Sequence, residues 1–312
     1  MSSDNSNADA PANKPNPSRG RASVIIIVVV GFIASFFLSR PLEQNEALSW
    51  AVQAEADAQR LGRTFMLLLD HSNGPLQSLA TLFNGSGRVA ADEFENTITY
   101  LKGHRKGAFP DSMGFVTKSQ PPSCGSDDGC WMVAYSTDDS GVLRPGSDVS
   151  RFGPMAGTIE TALANENTLI IGPVFQRATG DQYSYYAVTI RNTRQFGVVV
   201  SLIDYQSLVA RMIEEWIPHG MQLRLQASFL DGTDMTAPRF IVGAAEPAAE
   251  AVRTIEVTAD ADSATFTMMW DVLPDYYGGA GTRTDDYAMY TGIFATLFIA
   301  LLLWGRRRRH TS

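Results

Sequence analysis

Two uninterrupted apolar runs constrain this chain more than any other feature: Ala22 to Ser39 (ASVIIIVVVGFIASFFLS) and Tyr287 to Trp304 (YAMYTGIFATLFIALLLW), neither holding a charged side chain. Each is close to the length of helix that crosses a hydrocarbon core, about 20 residues. Both are therefore expected to be transmembrane helices, with a large segment between them held on one side of a bilayer. A fully buried globular helix is the plainer reading, and the charged flanks argue against it. A cleaved signal peptide competes for the first run, since Ala34 and Ser35 are small. Against it stand the polar tail before the run and the lack of a clean cleavage triplet after it.

Basic residues near a span stay on the cytoplasmic side. Lys14, Arg19 and Arg21 precede the first run and Arg306 to Arg309 follow the second, which places both termini inside and residues 40–286 outside. Of the 25 basic residues those seven flank the runs, leaving 18; two of the 33 acidic residues precede the first run, leaving 31, so the outer segment carries a formal charge of −13. Such a surface does not suit nucleic acid. The expected location is the inner or cell membrane, with a two-pass chain and a periplasmic or extracellular domain.

The outer segment is long enough for real cores. It holds both cysteines, Cys124 and Cys130. An exported compartment lets them pair, closing a small ring that contributes about 2 kcal/mol from loop entropy. Metal binding by two cysteines with no nearby histidine is the weaker alternative. A surface staple is expected.

Residues 1–21 contain no large apolar side chain beyond Met1 and read as a disordered cytoplasmic tail. From Pro41 to Asp70 good helix formers place Leu42, Leu48, Val52, Leu61, Phe65 and Leu68 toward one face, predicting a stalk. Ser72, Asn73, Gly74 and Pro75 are expected to break or kink it before a second piece, PLQSLATLFNGS. After a turn at Gly85 to Arg88, AADEFENTITYLKGH repeats apolar residues at helical spacing through Phe94, Ile98 and Leu101. The texture then changes to short runs rich in β-branched and aromatic residues: SMGFVTKS, CWMVAYST, TLIIGPVFQ, YSYYAVTI and FGVVVSLID. Helices are expected at Met155 to Ala164 and in YQSLVARMIEEWI, and four more strands in MQLRLQASFLD, PRFIVGA, TIEVTAD and SATFTMMW. The order predicts an α+β fold in two lobes, each with an antiparallel sheet.

Catalytic machinery is not legible. His71, His104, His219 and His310 lack metal-ligand spacing, and there is no phosphate loop or serine-centred nucleophile motif. Gly278 to Gly281 reads as a hinge. The pairs Asp127-Asp128, Asp138-Asp139, Glu214-Glu215 and Asp285-Asp286 read as solvated charge, and Asn84-Gly85-Ser86 as a chance glycosylation match. No catalytic function, cofactor or metal is expected. An aromatic-lined sheet between two membrane helices is the form of a sensor or binding module.

The feature order resembles the CHASE domain, the extracellular sensory module of bacterial cyclases and histidine kinases and of plant cytokinin receptors. The resemblance covers about residues 45–275. It rests on the stalk, PLQSLATLFNGSGRVAADEFENTI, GFVTK, TLIIGPVFQ followed by YYAVTI and FGVVVSLIDYQSLV, then MQLRLQASFLDG and TFTMMW. It implies a long stalk helix carrying two PAS-like lobes, with a small-molecule ligand in the membrane-distal one. Carried over by position, the ligand-binding residues are Phe115, Tyr135, Ile171, Gly172, Pro173, Tyr186 and Val188. For each of them a place in the core is the competing reading. The implied division is a tail (1–21), a first span (22–39), stalk helices (40–84), a distal sensory lobe (85–213), a smaller proximal lobe (214–286), a second span (287–304) and a basic tail (305–312).

Two features depart from the family. The Cys124 to Cys130 loop looks like an insertion beside a pocket strand, and only GRRRRHTS follows Trp304, where the family continues into a catalytic domain. The expectation is thus a ligand-sensing receptor that forms a homodimer through its stalk and signals to a cytoplasmic effector, or else the sensory part of a longer cyclase or kinase. A protein-binding or assembly role outside the cytoplasm is the alternative.

Overall fold

A computed structural model describes residues 17–104, 109–119, 124, 129–139, 141–166, 168–177, 180–192, 194–278 and 284–309. The chain separates into two compact units, residues 1–51 with 278–312, and residues 52–277.

The first unit holds the N-terminal part of helix α1 (Pro17–Gly85) and helix α5 (Thr284–Arg309). Gly31 lies so close to Thr296 that a Cβ there would fall on the threonine side chain. Both apolar runs are helical in backbone, and part of their side chains lies outside the described residues. Among the described residues, no helix is long and apolar enough to cross a membrane. The two expected crossings therefore have sequence support and no structural demonstration.

In the second unit α1 supplies the spine. Ala54, Ala58, Leu61, Phe65, Leu69, Leu76, Leu79 and Phe83 are buried along one face. The expected break at Ser72 to Pro75 does not occur, because α1 runs through it as one helix. Proline forfeits one intrahelical bond, but Leu69 before it and Leu76 and Leu79 after it are buried on the same side, and such packing outweighs local propensity.

Helix α2 (Ala91–His104) follows the turn and buries Phe94, Ile98 and Leu101, the three apolar positions its spacing singled out. The first sheet is built from β1 (Ser112–Ser119), β2 (Cys130–Ser136), β3 (Ile170–Ile171), β4 (Phe175–Gln176), β5 (Gln182–Arg191) and β6 (Phe196–Asp204). All pairings are antiparallel, in the order β2-β1-β6-β5-β3, with β4 also on β5. Helix α3 (Gly153–Ala164) starts with proline at its N-terminal turn and covers one face. This is a PAS-like lobe. The single strand expected over TLIIGPVFQ is split into β3 and β4. Pro173 has no N–H for the ladder, and Gly172 approaches α3 so closely that a Cβ would fall on Thr158.

Helix α4 (Tyr205–Glu215) leads to the second sheet: β7 (Met221–Asp231), β8 (Asp234–Met235), β9 (Arg239–Val242), β10 (Arg253–Ala261) and β11 (Ala264–Val272). Its order is β10-β11-β7-β8, with β9 pairing β7, again antiparallel. Alternate residues Phe266, Met268, Trp270 and Val272 of β11 are buried, and Phe266 meets Phe65 of α1 edge to face at 5.5 Å. The fold is thus α+β, with one long helix and two antiparallel sheets. The lobes are tied at the β10–β11 tip, where the Ile171 N–H donates to Ser263 Oγ (2.6 Å); the Ser263 carbonyl accepts from the Leu230 N–H of its own sheet (2.8 Å). Cys124 and Cys130 are disulfide-bonded with Cα atoms 5.9 Å apart, as expected of a staple.

Candidate functional site

Strand alternation sends successive side chains of the first sheet to opposite faces. Toward α3 point Val116, Val133, Tyr185, Ala187, Val198, Val200 and Leu202, which form one core with Met155, Ile159 and Ala162 of the helix. Toward the spine points Phe115, stacked on Phe83 of α1 at 4.2 Å. Tyr135 sits beside it, 5.6 Å from Phe94, and its hydroxyl donates to the Val89 carbonyl at 3.1 Å.

The seven residues named from sequence divide accordingly. Phe115, Tyr135, Tyr186 and Val188 lie on the spine-facing side. Tyr186 is fully buried, its hydroxyl 3.2 Å from that of Tyr205, and burial pushes both phenols well above their ordinary value. Ile171 pairs with Tyr186 and is buried. The Gly172 N–H donates to the Tyr185 carbonyl (2.8 Å) and its carbonyl accepts from Ser184 Oγ; Pro173 follows between β3 and β4. Phe115 and Tyr135 come together, as do Ile171 and Tyr186. Val188 belongs to a separate groove.

A different group converges on the α3 side, where β5 starts and β6 ends. Phe175 stacks on Tyr185 at 5.0 Å, while Phe152 meets both edge to face, at 5.4 Å from Phe175 and 6.0 Å from Tyr185. The Arg177 guanidinium lies 4.5 Å from the centre of the Tyr183 ring, cation over π-face. Tyr183 is paired in register with Asp204, the last residue of β6. Asp111 is tied to the same end of the sheet by its N–H, which donates to the Leu202 carbonyl at 3.1 Å.

Electrostatics sets this group apart. Enclosure by the surrounding protein pushes the Asp111 carboxyl above its ordinary value even though the side chain reaches solvent, and the Asp204 charge adds to the effect. Arg177, Arg211 and a hydrogen bond from the Asp204 backbone oppose it. Tyr183 is raised by burial and then by Asp204. Tyr185 is pushed up to about 12, chiefly by burial, with Arg177 nearby acting the other way. The result is an aromatic cluster with one exposed guanidinium and two carboxyl groups beside it. Such a set can orient a small molecule bearing both an anionic and a cationic group.

Asp204 also caps α4, accepting from the N–H groups of Gln206 (2.8 Å) and Ser207 (3.3 Å) and from Ser207 Oγ (2.7 Å). An aspartate between an apolar strand and a helical pattern was the sequence signal for it. Arg177 and Asp111 had no such signal, because only the tertiary fold brings them to Asp204. Among the described residues no group of three His, Cys, Asp or Glu side chains is placed to hold a metal ion.

No family model matches the sequence, and no curated protein matches it. Solved structures do resemble it in fold. The ligand-binding domain of the Pseudomonas aeruginosa PAO1 amino acid chemoreceptor PctC in complex with GABA is 14% identical, over 68% of this chain and 98% of that one, with a TM-score of 0.38. The periplasmic sensory domain of the Campylobacter jejuni chemoreceptor Tlp1 is 12% identical over 74% and 94%, with a TM-score of 0.40. The Vibrio cholerae LuxQ periplasmic domain is 13% identical over 70% and 96%, with a TM-score of 0.37. Likenesses this distant leave the site to be understood from its own geometry.

Proposed function

We propose that this chain is a membrane-anchored sensor whose distal lobe binds a small polar molecule outside the cytoplasm, at the Arg177, Tyr183, Tyr185, Asp111 and Asp204 cluster. The observation that carries the proposal is the position of Arg177 over Tyr183, beside two carboxylates and an aromatic wall. A core has no use for an exposed guanidinium and a carboxyl raised by its surroundings; perturbed ionisable groups gathered beside aromatic side chains mark candidate binding sites.

Anchoring rests on the two uncharged runs. Their described side chains support it: Ile26, Val29, Phe32, Ile33, Phe294, Leu297, Phe298, Leu301 and Leu302 are exposed, a cost in water and none in lipid. In this scheme residues 22–39 and 287–304 cross the bilayer, the termini are cytoplasmic, 40–84 form the stalk, and 85–213 and 214–286 are the distal and proximal lobes. Leu48, Val52 and Leu67 are exposed on α1 and suit a homodimer through the stalk. Ligand binding acts by favouring one arrangement of the dimer, which α5 reports to a cytoplasmic effector. A CHASE-type module is the finer assignment that the order of sequence features favours.

The test is a thermal-shift screen of the full chain in detergent against amino acids, amines, organic acids and adenine derivatives. A bound ligand raises the unfolding midpoint; saturation at 100 times Kd adds about 2.7 kcal/mol. The shift is expected to vanish in Arg177→Gln and in Asp204→Asn. A ligand whose shift survives both substitutions would sink the proposed site. Reporter fusions at either terminus test the orientation independently.

A further inference from the structure

A second concavity, of about 370 Å³, is lined by Gln77, Ala80, Thr81 and Asn84 of α1, Thr168 and Leu169 before β3, Val188 and Thr189 of β5, and Asp262 of the β10–β11 turn. It thus touches the spine helix, the distal sheet and the tip of the proximal sheet. None of its described lining residues is Lys or Arg.

The lining offers hydrogen-bond acceptors and a single carboxylate. Asp262 can only accept. Thr81 Oγ1 already donates to the Gln77 carbonyl (2.9 Å), so its hydroxyl offers its lone pairs alone, while Thr189 Oγ1 is turned to the other face of β5, where it donates to the Ala162 carbonyl of α3 (2.6 Å). The Gln77 and Asn84 amides can turn either end inward. Ala80, Leu169 and Val188 supply an apolar floor.

Asp262 is held in place. It adopts φ +35, a conformation few residues other than glycine, Asn and Asp accept. The next residue, Ser263, is buried and takes hydrogen bonds from Ile171 and Leu230. The backbone of the turn is fixed at the lobe junction, which keeps Asp262 at the edge of the groove.

We infer that this groove is a second ligand site, distinct from the aromatic cluster, and that it takes a short aliphatic diammonium compound. The ammonium groups bring several donors and positive charge to a lining of acceptors and one carboxylate, and the methylenes lie on the apolar floor. At about 30 Å³ per water, the space holds roughly a dozen water-sized groups, enough for a four-carbon diamine. Because three elements contribute, occupancy ties the two lobes to the stalk.

Isothermal titration of the full chain in detergent, at constant ionic strength, compares 1,4-diaminobutane with butane-1,4-diol and succinate as neutral and anionic probes of similar length. Only the diamine is expected to bind. Asp262→Asn, which keeps a side chain tolerant of this backbone, is expected to weaken it at least tenfold, and Thr81→Val several-fold. Asp204→Asn should leave the affinity within twofold. Absence of diamine binding, or affinity unchanged in both Asp262→Asn and Thr81→Val, overturns the inference. A loss confined to Asp204→Asn also overturns it and places the amine in the aromatic cluster, so the two sites fail separately.

Discussion

Each lobe carries an aspartate–arginine grouping, and the two are built in opposite ways. In the lobe of the second sheet Arg224 grips Asp271 with two hydrogen bonds, Nε to Oδ2 at 2.7 Å and Nη2 to Oδ1 at 2.9 Å. Further partners surround the pair: Thr254 Oγ1 (2.6 Å) and the Ala248 N–H (3.0 Å) donate to Asp271, and Arg224 donates to the Ala245 carbonyl (3.1 Å). Burial alone would raise the Asp271 carboxyl, but the hydrogen bonds from Arg224, Thr254 and Ala248 together hold it below its ordinary value. In the lobe of the first sheet Asp111 is raised instead, and Arg177 is exposed. A buried, multiply bonded pair is closed to a ligand and serves the scaffold. An open grouping with capacity in hand is what recognition needs.

The sharpest way to break this contrast is Asp271→Ala. It leaves the Arg224 guanidinium buried without its counter-charge and is expected to cost about 3–5 kcal/mol in a urea titration, whereas the double change Arg224→Met with Asp271→Leu should recover most of the loss. Equal losses in the single and double variants would show that the pair is not the reason.

Next in size is Tyr276→Phe. The Tyr276 hydroxyl donates to buried Asp57 Oδ2 at 2.8 Å, tying the segment after the second sheet to α1. Its removal strands part of a buried carboxylate at a cost of about 1–3 kcal/mol.

Asp204 separates stability from recognition within one residue. Asp204→Ala removes the α4 cap and should lower stability by about 1 kcal/mol, while Asp204→Asn keeps a good cap and should lower it by only a few tenths. Both should abolish the ligand-induced shift. A variant with Asn that still responds fully to ligand would assign Asp204 to capping alone.

The smallest effect is in pH dependence, and its sign differs between lobes. Asp111 is raised in the folded state, so its contribution is present below the ordinary aspartate value and is lost as pH rises through the folded value. Asp271 is lowered, so its contribution is present above the ordinary value and is lost as pH falls through the folded one. Midpoints measured from pH 3 to 7 should therefore show a shallower acid loss in Asp271→Asn than in the parent, and a steeper gain with rising pH in Asp111→Asn. Identical profiles for the two variants would remove the distinction.

Sequence alone determined a good deal. Charge-free runs, helical spacing in α2 and the β-branched and aromatic runs of β5 and β6 are local properties, and local patterns survive in any fold that buries their apolar side. The same logic made the paired cysteines and the α+β order legible. What sequence could not decide was which sheet face α1 covers. Alternation separates Tyr185 from Tyr186 but does not say which faces the spine, because both faces of this sheet are apolar. Only the packing of α1 against Phe115 and of α3 against Val198 and Val200 settled that. The meeting of Asp111, Arg177 and Asp204, like the continuity of α1 through Pro75, also belongs to tertiary structure, since contacts between distant segments overrode what each segment favoured by itself.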